Sequence, residues 1–330
     1  MSHRVPEDRL LDFRTHARSG PGHRARLTPA QVQQIARTVA GTPEVMLKVL
    51  RAGAPTIAAV RRHLDYVGRE GDVALHTDDG QVLRGDDAVA GLALDWDLDL
   101  EDCRRRTDLG PSSGRPPPRL VHKLVFSMPA GTAPDKVLTA VQGFCQEEFG
   151  LKHRYLAALH TDEPHPHVHV LVKAMSEQRG RLHIRKATLR GWREEFARQL
   201  RALGVAANAT PRFVRGETKP RKSDGIYRAA RRGESTHMRE RVLAAATALC
   251  RADRPPDPSK TRLEQTREAV ARGWRAIIEA LGNQGHADLA GRARKFVGGL
   301  PPARTEREWL MAGLADQRRR QAAREMDRSR

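Results

Sequence analysis

The chain is poor in aromatic residues, which make up 4% of it, and it has only three cysteines in 330 residues. Cys103, Cys145 and Cys250 are far apart with no Cys-x-x-Cys pair, which argues against a disulfide framework and suits a reducing cytoplasm. No apolar run approaches the roughly 18 residues of a membrane span, and the opening MSHRVPEDRLLDFR has no apolar h-region, so neither a spanning helix nor a secretory leader is expected. Hydrophobic residues reach 39%. A core is expected, with part of the chain loosely ordered. Acidic residues are also in deficit: 40 Asp and Glu face 59 Lys and Arg, a formal charge of +19. Such an excess draws phosphate polyanions, and DNA or RNA is favoured over a membrane surface. A small-molecule hydrolase would have no use for it.

What the chain does contain is concentrated in residues 160–169, where four of its fourteen histidines fall. His167 and His169 are one residue apart and run into Val170, Leu171 and Val172. On a strand this spacing puts both imidazoles on one face and Val168 and Val170 on the other. His160 precedes an Asp-Glu-Pro turn and is expected to fold back towards the pair. Three imidazoles on one face make a metal site with open positions. Asp162, Glu163 and His165 are expected as supporting neighbours or further ligands.

A metal beside a basic groove points to phosphodiester chemistry. Water as nucleophile would make a nuclease, and a tyrosine would make a covalent phosphotyrosine. There are three tyrosines. Tyr155 begins a strand and reads as packing. Tyr227 lies in a basic segment, where it can stack on a base. Tyr66 lies off the apolar stripe Ile57, Val60, Leu64 and Val67 of a helix over 56–67, where it can face a ligand or simply the surface.

Patterning predicts an α+β fold: an antiparallel sheet with helices on one face. Strands are expected at 44–50, 119–128, 153–160 and 166–174, with a hairpin over 73–84 around Asp78-Asp79-Gly80. Helices are expected at 30–40, 56–67 (stopped by Gly68), 134–148 and 186–203. Residues 86–118 begin acidic and end in an Arg- and Pro-rich linker loop. We divide the chain into an N-terminal arm (1–40), a central domain (41–215) and a basic, largely helical C-terminal region (216–330). Residues 211–240 carry nine Lys or Arg against four Asp or Glu. The last eighteen residues hold six arginines, in a helix or a tail.

Three blocks in order carry a resemblance. Leu64-Asp65-Tyr66-Val67-Gly68-Arg69-Glu70-Gly71 is similar to a Leu-Glu-Tyr-Leu-Ser-Arg-Lys-Gly-like block; Val125-Phe126-Ser127-Met128-Pro129-Ala130-Gly131-Thr132 is similar to a Ser-Phe-Pro-Ala-Gly-Thr turn; and Tyr155 to Lys173 has its histidines in the same register. Over about residues 44–215 the chain resembles the conjugative relaxases of the His-hydrophobe-His (HUH) endonuclease superfamily, in the T-DNA border endonuclease-like branch. Gly68 departs from the usual Ser, and Lys173 stands near a usual Asn. The resemblance implies an HUH relaxase fold, Tyr66 as nucleophile, and His160, His167 and His169 as ligands of a divalent ion. That ion is Mg²⁺ or Mn²⁺ in the family, whereas imidazole softness alone suits Mn, Zn or Ni. It also implies a cytoplasmic relaxase that nicks a transfer origin, single-stranded at nic, with relaxosome accessory proteins and a type IV secretion coupling protein as partners. Arg69, Lys173, Arg212 and Arg215 are the expected DNA contacts. Rolling-circle replication initiators and transposases share this chemistry, and a non-catalytic origin-binding protein shares the charge.

Overall fold

A computed structural model describes residues 26–50, 56–85, 87–109, 118–217, 226, 229–230, 232–250 and 257–328. In chain order these form α1 (Pro29–Val39), β1 (Met46–Val49), α2 (Ile57–Gly68), β2 (Leu75–Thr77), β3 (Val82–Leu83), α3 (Asp87–Asp95), α4 (Leu98–Leu109), β4 (Val121–Ser127), α5 (Pro134–Phe149), β5 (Tyr155–His160), β6 (His167–Lys173) and α6 (Lys186–Ala202). A 3-10 turn at Arg212–Arg215 then leads to α7 (Thr236–Cys250), α8 (Pro258–Asn283), α9 (Ala287–Gly298) and α10 (Glu306–Arg328). Contacts divide the described residues into two units, one over Ala40–Ala209 and one combining residues 26–39 with those from Thr210 onwards. Among the described residues no helix is long and apolar enough to cross a membrane.

The first unit is the expected α+β fold, with one antiparallel sheet in the order β1-β4-β6-β5-β2-β3. Period-2 alternation sorts its side chains. Leu47, Leu124, Phe126, Tyr155, Ala157, Val168, Val170 and Val172 pack with Phe144 of α5 and with Trp192 and Phe196 of α6. Val121, Leu156, Ala158 and Leu171 point the other way and pack with Val60, Leu64 and Val67 of α2 and with Leu92, Trp96 and Leu98. Helices therefore cover both faces of the sheet, where one was expected. Residues 87–109, read as an acidic stretch running into a linker, supply part of this second layer. Their acidic face hides a narrow apolar edge of Leu92, Ala93, Trp96 and Leu98 that is buried all the same. The Pro-rich end of that linker lies outside the described residues.

α2 starts where Thr56 accepts a hydrogen bond from the Ala59 N–H at 3.2 Å. It does not stop at Gly68. Gly68 stays helical, and Arg69 (φ 51) and Glu70 (φ 54) take the left-handed turn instead. That conformation is uncommon for residues with a Cβ and is often kept near sites that use it. Gly71 follows at φ 94, and a Cβ there would meet the Gly85 Cα at 2.8 Å.

The second unit is helical. Leu27 and Ile35 are buried with Val214, Val270, Trp274, Ile277, Leu281 and Leu289, and the Trp274 indole donates to the Val214 carbonyl at 3.0 Å. Residues 26–39, placed by sequence in an N-terminal arm, thus contribute side chains to this core.

Candidate metal centre and nucleophile

The register of the central strands builds the site. His160 of β5 lies directly opposite His167 of β6, and Ser127 of β4 opposes His167 from the other side. One step along, Val125, His169 and Ala158 form the next row. His167 and His169 share their face with Leu171, while Val168 and Val170 anchor the opposite core. The imidazole centroids of His160, His167 and His169 are 4.6–5.3 Å apart. One nitrogen from each ring lies within 4.8 Å of the others.

Hydrogen bonds settle two of the tautomers, because a carbonyl oxygen only accepts. His160 Nε2 donates to the Val67 carbonyl at 2.7 Å, which leaves Nδ1 as the lone-pair nitrogen. His167 Nδ1 donates to the His165 carbonyl at 3.1 Å, which leaves Nε2. His169 Nδ1 is buried with no hydrogen-bond partner among the described residues, an arrangement that costs stability unless something binds there. Burial, and then the neighbouring imidazoles, push His169 down to about 3. Burial likewise lowers His160, against the hydrogen bond to Val67. These rings are neutral at ordinary pH, the form that ligates a metal. Three clustered imidazoles, two of them fixed by carbonyls, fit a divalent ion.

Tyr66 sits on the outer side of α2 and is 43% exposed, so a large ligand can reach it. Its ring lies 5.8 Å from that of His169 and 6.4 Å from that of His160. The Arg69 guanidinium stands 5.2 Å above the Tyr66 ring, within cation–π reach. The same guanidinium is 3.4 Å from His160 Nδ1 and is paired with Asp162. The left-handed turn at Arg69 is what brings it back over the tyrosine.

Other expected site residues are placed differently. Asp162 is engaged by Arg69, and Glu163 and His165 are exposed; none of the three carboxylate or imidazole groups joins the metal-ligand cluster. Only the His165 backbone takes part. Lys173 shares the strand face of the histidines but is buried at the far end of β6, paired with Glu177 at 3.1 Å. Arg212 and Arg215 lie in the second unit, each paired with Glu217. Tyr155 is buried and donates to Gln146 at 3.3 Å, so it packs. Tyr227 lies outside the described residues.

Sequence reasoning missed His63. It lies one turn before Tyr66, with the two rings stacked at 5.9 Å and 17°, and its ring edge meets His169 at 6.3 Å. Burial, and then the Lys123 charge, push it down to about 4. The i, i+3 spacing from Tyr66 was the available signal.

Residues 96–204 match the family described as relaxase, MobA/VirD2-like, nuclease domain. The span contains all three clustered histidines; Tyr66 lies upstream of it. Among curated proteins the chain is similar to the T-DNA border endonucleases VirD2 of Rhizobium rhizogenes and of Agrobacterium fabrum, each 27% identical over 154 residues, 44% of this chain and 31% of the relative. A third, from Rhizobium radiobacter, is 27% identical over 210 residues, 57% of this chain and 44% of the relative. The chain thus spans less than half the length of these relatives. No solved structure matches it. Residues 96–204, which hold the three-histidine cluster on the antiparallel sheet, are thus similar to the nuclease domain of the MobA/VirD2-like relaxases.

Proposed function

We propose that this protein is a site- and strand-specific DNA relaxase that nicks the transfer origin of a plasmid or integrative element. Tyr66 Oη attacks the scissile phosphorus, the bond from phosphorus to the 3′ oxygen breaks, and the proton lost by the phenol is balanced by the one gained at the 3′-OH. The product is a 5′-phosphotyrosine that conserves the bond for later rejoining. A divalent ion held by His160, His167 and His169 supplies Lewis-acid polarisation of the phosphate oxygens. Its identity, Mg²⁺, Mn²⁺ or a softer ion, is part of the proposal. Arg69 lies beside both groups and offers a planar, fixed-charge donor to the phosphate.

The observation that carries this reading is the position of an exposed Tyr66 ring against two of three clustered imidazoles. The +19 charge supports DNA as the partner. By the family likeness, relaxosome accessory proteins and a secretion coupling protein are further partners. The reaction is placed in the cytoplasm of a bacterial donor, with export of the covalent complex. An origin-binding accessory protein is the rival reading. Supercoiled origin DNA incubated with Mn²⁺ should acquire protein covalently at a 5′ end. Tyr66→Phe should abolish this adduct and leave metal binding intact. An adduct that persists in Tyr66→Phe removes the nucleophile assignment, and wild type that binds but never nicks favours the accessory reading.

A further inference from the structure

The face of the sheet that carries the histidines also carries cations with no ion pair among the described residues. Lys48 of β1 pairs with Val125, which pairs with His169, so Lys48 stands in the same cross-strand row as that ligand. One row along, Lys123 of β4 is opposite Leu171 on the same face. Lys123 is 8% exposed, yet it has no ion pair among the described residues. Lysine is almost never enclosed to this degree unless paired. Its charged neighbours make this worse rather than better. Burial lowers its affinity for a proton, and the Arg62 guanidinium, from the middle of α2, acts in the same direction. The ammonium is also felt at His63, which touches both Tyr66 and His169. Arg62 likewise has no carboxylate partner among the described residues.

Arg62 lies on α2, the helix that packs on this face, and its charge acts on Lys123; an anion between the two would relieve their repulsion. We propose that Lys123 and Arg62 form a binding position for a DNA backbone phosphate next to the scissile one, on the β4 side of the histidine cluster. Lys123, whose stem is enclosed in the sheet face, sets where that phosphate rests, and exposed Arg62 adds its charge from α2. Lys48 continues the cationic track towards the sheet edge. This position rests on the DNA reading above and adds to it a second fixed point for the strand. With the strand held at two phosphates, the scissile one is aligned with Tyr66 rather than merely captured.

The test uses full-length protein and a fluorescein-labelled single-stranded oligonucleotide, with affinity measured across a salt series. Lys123→Met keeps the apolar stem and removes the charge. It should weaken binding about tenfold at low salt and flatten the slope of log K against log salt by about 0.7, the amount expected for one contact to a single strand. Arg62→Met should act in the same direction. Mn²⁺ binding should be unchanged in both. A Lys123→Met protein with the wild-type slope overturns the proposal, even if its affinity or melting temperature falls, because that would be a packing effect. The covalent-adduct assay separates the two readings. Wild type that shows the Lys123-dependent slope but never forms an adduct sinks the nicking reading and keeps this site. Nicking with an unchanged slope in Lys123→Met does the reverse.

Discussion

His160 donates from Nε2 to the carbonyl oxygen of Val67 at 2.7 Å. Val67 is the residue after Tyr66 on α2, so one hydrogen bond ties a ligand-bearing strand to the helix that carries the proposed nucleophile. The bond orients the imidazole and selects its free nitrogen, a role usually taken by a group outside the ligand set. The proposed metal site and the proposed nucleophile are therefore positioned by one contact, and a disturbance of either is felt by both.

Removing a ligand should separate binding from folding. His167 is only partly buried, so His167→Ala should keep the fold and lose at least about a hundredfold in Mn²⁺ affinity, beyond what changes to supporting groups cost. Calorimetric titration with Mn²⁺ measures this. Wild-type affinity in the variant would remove His167 from the ligand set.

His169 should show the opposite balance of stability and function. Its Nδ1 is buried without a hydrogen-bond partner among the described residues. Replacing it by leucine fills the space and removes an unsatisfied polar atom, which stabilises by about 1–2 kcal/mol. His169→Leu should melt about 2–4 °C higher than metal-free wild type, and added Mn²⁺ should no longer raise its melting temperature. A lower melting temperature in the variant would mean that the imidazole is satisfied in the metal-free protein.

Acid sensitivity should trace in part to His122 of β4. Its Nε2 donates to the Leu182 carbonyl at 3.1 Å, and Nδ1 is buried and unpaired. Burial, and then the charges of Arg119 and Arg181, push it down to about 4, against the Leu182 hydrogen bond. Its folded-state value lies below the unfolded 6.5, so between these two values the unfolded chain binds more protons. Stability then rises with pH across this window and is lost as pH falls from 6.5 towards 4. The contribution is on the order of 2 kcal/mol. His122→Gln, which can still donate to Leu182, should flatten the urea midpoint against pH between 4 and 6.5. A wild-type slope in that variant would assign the acid sensitivity elsewhere.

Gly71→Ala should be costly for its size. The backbone there is left-handed, and the new Cβ would lie 2.8 Å from the Gly85 Cα, main chain that cannot rotate away. A loss of about 2–3 kcal/mol is expected, read from the denaturant midpoint. The shift should also lower adduct yield, since the same turn places Arg69 over Tyr66. A loss under about 0.5 kcal/mol, the usual scale of surface substitutions, would show that the turn yields easily.

The histidine cluster was legible because a strand has a simple period: His167 and His169 alternate with valines, which puts the two groups on opposite faces. Tyr66 was legible as the residue off a four-member apolar stripe. The second helical layer was not. Leu92, Trp96 and Leu98 are few and lie among aspartates, so the apolar edge of 87–109 is too narrow to register as amphipathic. Lys173 and Lys123 show the same limit. Both are basic residues on strands of the histidine-bearing face, but Glu177, four residues on, neutralises Lys173, and only the fold reveals that nothing does so for Lys123. Gly68 looked like a helix stop, whereas tertiary placement moved the left-handed turn to Arg69.

Ile35 is buried with Trp274 and Ala293, while the whole sheet unit, Ala40–Ala209, lies between them in the chain. On a translating ribosome, at about 5–20 residues per second, α1 emerges tens of seconds before its partners exist. The sheet unit has time to fold during that wait, and the helical unit closes only once residues up to Ala293 have been made. The order of manufacture therefore runs from the inside of the sequence outwards, and a ribosome that stalls after residue 209 would release a finished sheet unit with an unclaimed helix at its front.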